Sequence, residues 1–224
     1  MLFSLTAVKD NLRNREGKRV FYLGRGDQLT SDARDYLTRE RIEILPADKA
    51  RPERYRLLNG GFMEEKPEHM THLYGDVLVP KTHPRIAFRG AMDNLEAELL
   101  LCQLAVPHLE KELEEILQLS RLLLRCDVLE EPVKDAPLCG LSMEQLRQHS
   151  HRPQEFYGQP HFMPQAADGS HILHLNKVRC AARSAELAAV AALGDRADIL
   201  RAMNRMSSML YILMIREKAN LGKR

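Results

Sequence analysis

The hydrophobic pattern divides the chain into a mixed first part and a helical second part. Near the start, RVFYL and IEIL have the short apolar character of strands. LTSDARDYLTRE, between them, begins with a Ser31 or Asp32 cap signal and predicts a helix. The first part is therefore expected to be a small β/α segment.

A change in composition separates the two parts. Residues 46–70, PADKARPERYRLLNGGFMEEKPEHM, carry three prolines and a Gly-Gly pair, which predicts a linker or a loosely packed loop. We expect residues 1–65 to form the small N-terminal β/α segment and linker. Residues 66–224 are expected to form a helical domain.

Apolar residues then recur at helical spacing to the end of the chain. Four substantial helices plus short ones predict a mainly α fold, an up-and-down helical bundle of four to five helices, with the β/α segment at one end. The predicted helices cover about 84–105, 109–125, 141–150, 171–193 and 198–220, and residues 151–170 are expected to be a loop.

The stretch KVRCAARSAELAAV sets charges beside a seam of small residues. Arg179, Arg183 and Glu186 form a stripe rotated by about 100 degrees from that seam. Since small residues let a neighbouring helix approach closely, the charges border a poorly hydrated face and need partners. The seam positions recur at spacings of four, three, four and three and comprise Val178, Ala182, Ala185, Ala189 and Ala192.

The first and last long helices also carry polar groups beside apolar lines. Asp93 begins a line that continues through Ala97, Leu100 or Leu101, and Leu104, and that line is expected to be buried. Arg85 and Arg89 precede Asp93 by eight and four residues and could neutralise it.

In the last helix, Asn204 and Ser208 make a polar edge beside an apolar line. The later run MLYILMI is apolar all round, which predicts burial on more than one side, as at a subunit contact. The apolar line contains Ile199, Met203, Met206 and Leu210.

Periodicity leaves two interpretations of these charges open. They are either ordinary exposed pairs, worth about 0.3 to 0.5 kcal/mol each, or an anion site. In an anion site, charge-assisted hydrogen bonds of about 1.5 to 3 kcal/mol each would hold a polyphosphate while Asp93 orients an arginine. The cations of such a site are Lys81, Arg85, Arg89, Arg179 and Arg183.

Composition narrows the function classes. Lys and Arg total 33 against 31 for Asp and Glu, which gives no general reason to expect nucleic acid or an acidic membrane as a partner. The four cysteines are irregularly spaced, as in a reduced, cytoplasmic protein. The first residues lack a secretory pattern, and MLYILMI is too short to cross a bilayer, so we expect a soluble protein.

Three segments, in order along the chain, resemble the EutT-type corrinoid adenosyltransferases of ethanolamine utilisation. The pattern K-x-x-x-R followed by G-x-x-D-x-L, R-x-x-x-R-x-x-E and N-R-x-S more distantly resembles signature pieces of PduO-type adenosyltransferases. The three segments are THLYGDVLVPKTHPRIAFRGAMDNLEAEL, FMP followed by KVRCAARSAELAA, and LRAMNRMSSMLYILM.

This resemblance implies a helical-bundle enzyme that transfers the 5′-deoxyadenosyl group of ATP, with Mg²⁺, to the cobalt of cob(I)alamin. It further implies a homotrimer with inter-subunit active sites, supplied by a cob(II)alamin reductase. The product, adenosylcobalamin, would serve ethanolamine ammonia-lyase. Association with a bacterial microcompartment follows from the ethanolamine resemblance alone.

The resemblance also assigns roles to residues. Lys81 and Arg85 match the KTHPR-type segment, while Arg183 and Asn204 match nucleotide contacts. Glu186 matches the acidic end of the arginine motif. Together with Arg89, these residues are the expected ATP-binding set. Arg89 is included because Ser184 and Leu187 stand where PduO-type proteins often have further arginines, so triphosphate binding is expected to rely more on Arg85, Arg89 and a neighbouring subunit.

Asp93 and Arg179 match a salt-bridged pair that shapes the site, and with Arg183 they are the expected catalytic residues. Phe162 lies near the position of the family's aromatic residue that displaces the lower ligand of cobalamin. The segment FMPQAADG matches that family pattern only in part, and packing of Phe162 under a loop is the alternative.

A metal site of the enterobacterial relatives is not expected here. Those proteins carry a His and a Cys-Cys-x-x-Cys cluster, whereas LLNGGFMEEKPEHMTHL contains no cysteine. His69, His72 and His83 remain nearby, but without thiolates they are interpreted as ordinary polar residues. The prediction is therefore no metal ligands and no structural zinc or iron.

Two alternatives to the enzyme stay open from sequence. One is a non-catalytic corrinoid-binding or microcompartment scaffold protein that keeps the bundle without turnover. The other is a structural helical bundle with surface ion pairs.

Overall fold

The computed structural model describes residues 1–15, 18–47, 55–63 and 65–222. They form two compact units, Met1–Lys81 and Thr82–Arg224. The first unit extends to Lys81, because the hairpin of Met70–Tyr74 and Val77–Pro80 joins a sheet with Tyr55–Leu57.

The first unit contains short strands and two helices around a small core. A parallel pair, β1 with β4, accompanies a three-stranded sheet in the order β2-β3-β5 and a four-stranded sheet in the order β7-β6-β9-β8. The elements are β1 (Leu2–Phe3), α1 (Leu5–Asp10), β2 (Arg13–Arg15), β3 (Lys18–Leu23), β4 (Gln28–Leu29), α2 (Ser31–Arg39), β5 (Glu43–Pro46), β6 (Tyr55–Leu57), β7 (Phe62–Met63), β8 (Met70–Tyr74) and β9 (Val77–Pro80).

The predicted strand–helix–strand segment is confirmed as β3, α2 and β5. The α2 cap is Thr30, whose hydroxyl accepts a hydrogen bond from the amide of Ala33, so the helix begins at Ser31. The core of this unit lies between α1, β3 and α2 and consists of Val8, Phe21, Ala33, Leu37 and Ile42.

The loop prediction for residues 46–70 is wrong where β6 and β7 form. These strands are too short to show alternation, and β6 pairs in parallel with β9, about 20 residues further along the chain. That partner supplies the buried face, Val77, Leu78 and Val79. Residues 48–54 and 64, which the loop prediction also covers, lie outside the described residues.

The second unit is helical, which confirms the mainly α prediction. The loop prediction for residues 151–170 missed two short helical elements, Pro153–Tyr157 and a 3-10 turn at Ala166–Asp168. The first begins with Pro153, at a position where the absent proline amide costs nothing. The helices are α3 (Pro84–Ala105), α4 (Glu110–Leu129), α5 (Met143–His151), α6 (Pro153–Tyr157), α7 (Gly169–Ala192) and α8 (Ala197–Leu221). Within the described residues, no helix has both the length and the apolar character needed to cross a membrane.

Side-chain contacts define the two ends of this bundle. At the Arg85 end, the start of α3 meets the end of α4 through Arg85 and Asp127. At the His108 end, the start of α4 meets the end of α8 through Glu112 and Arg216. Since α7 and α8 form an antiparallel hairpin, α4 and α7 run in the same direction. Residues 130–168, with α5 and α6, return the chain to the His108 end.

The buried face of α3 differs from the prediction. Phe88, Met92, Leu95, Leu99 and Cys102 are buried, whereas Asp93, Ala97, Leu100, Leu101 and Leu104 are exposed. The buried line and the predicted line both contain apolar residues and lie only about 100 degrees apart around the helix axis. The hydrophobic period alone therefore does not show which of them is buried. The exposed line leaves an apolar surface on α3.

The seam of α7 is confirmed, because Val178, Ala182, Ala185 and Ala189 are buried. The polar edge of α8 is confirmed as well. The run from Met209 to Ile215, apart from the partly buried Tyr211, is buried within the chain itself, because α8 packs against α7, α5 and α6. Burial of this run therefore needs no subunit contact.

Candidate functional site

The α7–α8 hairpin brings two polar stripes side by side. The Asn204 amide donates to Glu186 Oε1 at 2.9 Å, and the Arg179 guanidinium lies 5.5 Å from the centroid of the Tyr211 ring. Because the two helices are antiparallel, residues that come earlier in α7 lie beside residues that come later in α8. Arg183 therefore lies at the level of residues 207–208, between these two contacts, and its side chain is exposed.

A hydrogen-bond chain fixes one end of the stripe. Arg205 donates through Nη1 to the Asn204 side-chain oxygen and through Nε to the Met143 carbonyl at 2.9 Å. Burial lowers the pKa of Arg205. With its oxygen bound to Arg205 and its amide bound to Glu186, the Asn204 side chain has a single orientation. Arg205 is the second residue of the N-R-x-S pattern, and the pattern alone does not indicate this role.

Arg179 is incompletely satisfied. Its Nε is buried and has no hydrogen-bond partner among the described residues. Leaving such a donor unpaired costs about 1 to 3 kcal/mol. No ion pair within the described part of the chain joins Arg179 to Asp93, which is exposed on α3.

Phe162 lies in the segment between α6 and α7, partly buried against the bundle core. Lys218 Nζ lies 5.7 Å from its ring centroid. The preceding residue, His161, stacks on Tyr211 with ring centroids 5.7 Å apart and hydrogen-bonds its hydroxyl through Nδ1 at 2.9 Å. Because Arg179 also lies over Tyr211, the Phe162 segment borders the arginine stripe. Neither His161 nor Tyr211 was found from sequence.

Arg85 and Arg89 converge on a carboxylate that the sequence pattern did not indicate. Asp127 on α4 is 0% exposed, and its two oxygens accept from Arg85 Nε and Arg89 Nε, each at 2.8 Å. Arg85 also donates to the Asp127 carbonyl at 2.6 Å and to Glu130 at 3.3 Å. Both predicted phosphate ligands thus already have an internal anion. The sequence feature that could have indicated this contact is the position of Asp127 on the apolar, buried line of α4.

Lys81 and the loop histidines complete the predicted positions. Lys81 is exposed and is the last residue of the first unit. His83 caps α3, accepting a hydrogen bond at Nδ1 from the Arg85 amide at 3.2 Å, and burial lowers its pKa, with Arg85 and Arg89 adding to the effect. The His72 ring lies 5.5 Å from that of Tyr55. Within the described residues, His69, His72 and His83 do not form a metal-ligand group.

Comparison with known proteins identifies the family. A family model described as cobalamin adenosyltransferase matches residues 62–217. The corrinoid adenosyltransferase EutT of Salmonella typhimurium LT2 is 33% identical over 159 residues, and that of Escherichia coli K12 is 34% identical over the same length. The match covers 67% of this chain and 59% of each relative, so the chain spans less than two thirds of their length. The chain belongs to the cobalamin adenosyltransferase family.

Proposed function

We propose that this protein transfers the 5′-deoxyadenosyl group of ATP to the cobalt of cob(I)alamin, which gives adenosylcobalamin. The observation that carries the proposal is the polar stripe of the α7–α8 hairpin. There Arg183 is exposed between the Arg179–Tyr211 contact and the Asn204–Glu186 hydrogen bond. A cation held at this level, beside an oriented amide, suits a nucleotide triphosphate.

The chemistry requires alignment rather than proton transfer. The Co(I) electron pair forms a bond to C5′, and the C5′–O bond breaks with its electrons leaving on the triphosphate. The protein therefore has to position C5′ and stabilise the charge of the departing phosphates. Arg183, with Asn204 and Glu186 positioning the nucleotide, supplies these functions without a general base.

The exposed face of α3 supports a homotrimer with inter-subunit sites. Asp93, Leu100 and Leu104 share this face, and the apolar residues are 46% and 82% exposed. Asp93 of one copy would pair with the partly exposed Arg179 guanidinium of the next. ATP, supplied as its magnesium complex, would then bind where two copies meet.

Arg85 and Arg89 have supporting roles in this proposal. Their side chains are 15% and 18% exposed, and Asp127 fixes both guanidinium groups. Only their outer edges could reach a phosphate, so Arg183 is the principal phosphate ligand. Lys81 remains a predicted ATP-binding residue from the family resemblance.

Phe162 is proposed to act on the corrinoid. Its segment lies beside Arg179 through His161 and Tyr211, which is where a corrin ring would meet the adenosyl group. Displacing the lower ligand would make cobalt easier for a cob(II)alamin reductase to reduce. Ethanolamine ammonia-lyase as the recipient, and a microcompartment as the location, complete the proposed context.

A spectroscopic assay of cob(I)alamin conversion with MgATP tests the proposal. Wild type is expected to form adenosylcobalamin, and Arg183→Ala to raise the KM for ATP at least tenfold and lower kcat, since phosphate charge is stabilised in the transition state. Arg201→Ala is the matched control, because Arg201 is an exposed α8 arginine that pairs with Asp135 instead. If the wild type binds cobalamin but neither binds ATP nor turns over, the protein is a scaffold.

The role of Phe162 has its own assay. Phe162→Ala is expected to slow adenosylation of cob(II)alamin in the presence of a reductant more than that of pre-reduced cob(I)alamin. Phe156→Ala is the control, since Phe156 is exposed and stacks on His149. Equal losses on both substrates would contradict ligand displacement and leave only a packing role.

A further inference from the structure

Three side chains with metal-binding atoms meet at the His108 end of the bundle. His108 lies in the turn between α3 and α4, His171 in the first turn of α7, and Glu217 near the end of α8. His108 Nε2 is 3.0 Å from Glu217 Oε1, and His171 Nδ1 is 3.6 Å from Glu217 Oε2. All three ligand atoms lie within 4.8 Å of one another.

These separations fit a single ion. Ligands about 2.0 to 2.1 Å from a tetrahedral Zn²⁺ are about 3.3 Å from each other. The two imidazole rings are already close, with centroids 5.1 Å apart. A small movement of the two imidazole nitrogens toward each other would bring them to this spacing. Both rings have room for it, because each histidine side chain is 49% exposed.

The charges around Glu217 favour a cation between the rings. Its side chain is 12% exposed, and its ion-pair partners in the described part of the chain are the two histidines. The adjacent cations are committed elsewhere, Arg216 to Glu112 and Lys218 to Asp168. Neither lysine nor arginine therefore neutralises this nearly buried carboxylate in the described structure.

We propose that His108, His171 and Glu217 bind one divalent transition-metal ion of the zinc class. Two imidazole nitrogens and one carboxylate oxygen are ligands that such ions accept, and three protein ligands leave a coordination position for water or a further group. The ion would join the α3–α4 turn to the ends of α7 and α8. Sequence spacing does not show the site, because His108 and Glu217 are 109 residues apart.

The site is separate from Arg183, the proposed phosphate ligand. His171 and Arg183 are on the same helix, and twelve residues at about 1.5 Å each place them about 18 Å apart along its axis. The inference therefore goes beyond adenosyl transfer and is tested by metal binding rather than by turnover.

Titration of the metal-stripped 224-residue chain with ZnCl₂, followed by calorimetry, measures the affinity and stoichiometry. Wild type is expected to bind one ion. His108→Ala and Glu217→Gln should each weaken binding at least tenfold. His174→Ala is the matched control, since His174 lies one turn after His171 but hydrogen-bonds the Ser170 carbonyl, and it should bind like the wild type.

Cobalt substitution and thermal unfolding give independent readouts. Co²⁺ should produce the visible absorption of a four- or five-coordinate ion in the wild type and in His174→Ala, but not in Glu217→Gln, which preserves side-chain shape. Zn²⁺ should raise the unfolding midpoint of the same two proteins because it binds the folded state. Circular dichroism confirms that each variant folds. No stoichiometric uptake by the wild type, or unchanged uptake by the double variant His108→Ala/His171→Ala, would overturn the proposal.

Discussion

Asp127 shows how much one residue can decide in the second unit. The carboxylate is wholly buried, and its two oxygens are bound by Arg85 and Arg89. A buried ion pair gives little net stability over an apolar core, but removing one partner leaves uncompensated charge. The two arginines are thus held in place by a group whose loss the fold tolerates poorly.

At this scale, Asp127→Asn is expected to lower the free energy of unfolding by about 3 to 5 kcal/mol, because two arginines lose their shared anion. Urea denaturation at neutral pH measures the change. Glu130→Gln is the control, since Glu130 contacts only the outer side of Arg85 and is 60% exposed. Its effect should stay within about 0.5 kcal/mol. Equal effects of the two substitutions would mean that Asp127 is not the anchor of these arginines.

Among the elements, α7 depends on small residues. Ala185 is 0% exposed on the seam of α7, which packs against α3 and α8. Ala185→Leu should lower the free energy of unfolding by about 1 to 3 kcal/mol, because the added carbons force neighbouring helices apart. Thermal or urea unfolding tests this expectation.

Ala191→Leu is the control for this helix, because Ala191 is exposed and shares the same element. We expect its effect to remain within about 0.5 kcal/mol. An Ala185→Leu variant with an unchanged free energy of unfolding would show that the helices at the seam are not closely packed.

Asp198 joins the start of α8 to the segment that follows α4. Its carboxylate accepts from the Val133 amide at 2.8 Å and from Arg196 at 3.0 Å. Hydrogen bonds from Arg196 hold the pKa of Asp198 well below its ordinary value, against the opposing effect of burial. A lowered folded-state pKa gives stability that is present above the unfolded-state pKa, about 3.9, and is lost as pH falls through the folded-state value.

Asp198→Asn should therefore reduce the free energy of unfolding by about 1.5 to 3 kcal/mol at neutral pH, as expected for hydrogen bonds to a charged group. The gap between variant and wild type should narrow as pH falls below about 4. Urea unfolding of both proteins from about pH 2.5 to about pH 7 measures this difference in free energy of unfolding. Asp195→Asn, at an exposed neighbouring position, should show no such gap. A constant gap would exclude the charge of Asp198 as its cause.

For the whole molecule, the proposed trimer depends on the apolar surface of α3. Leu104 is 82% exposed, beside Leu100 and Leu101. Leu104→Glu is expected to shift a wild-type trimer toward monomer with the fold intact, because it places charge in the contact without touching the core. Sedimentation velocity measures the shift.

Leu122→Glu is the matched control, since Leu122 is an exposed leucine on α4, outside this face. It should leave the assembly unchanged. A monomeric wild type with full adenosyltransferase activity would contradict inter-subunit sites.

The sequence pattern predicted most of the helices of the second unit. The bounds predicted for α3 and the seam of α7 are confirmed, because a long amphipathic helix carries its period in its own residues. The strands β6 and β7 were missed, since their pairing depends on β9. The sequence also indicated the stripe of Arg179, Arg183 and Glu186. Of its neighbours it indicated Asn204 and Phe162 but not Tyr211 or His161.

The sequence by itself determined the helical class, the polar stripe of α7 and the family resemblance, since these follow from local spacing and short motifs. Only the tertiary structure decided which line of α3 is buried, that Asp127 rather than Asp93 holds Arg85 and Arg89 within the chain, and that His108, His171 and Glu217 meet. The physical reason is that a helix fixes the order of residues around its own axis, whereas its rotation and its partners are set by packing against distant segments.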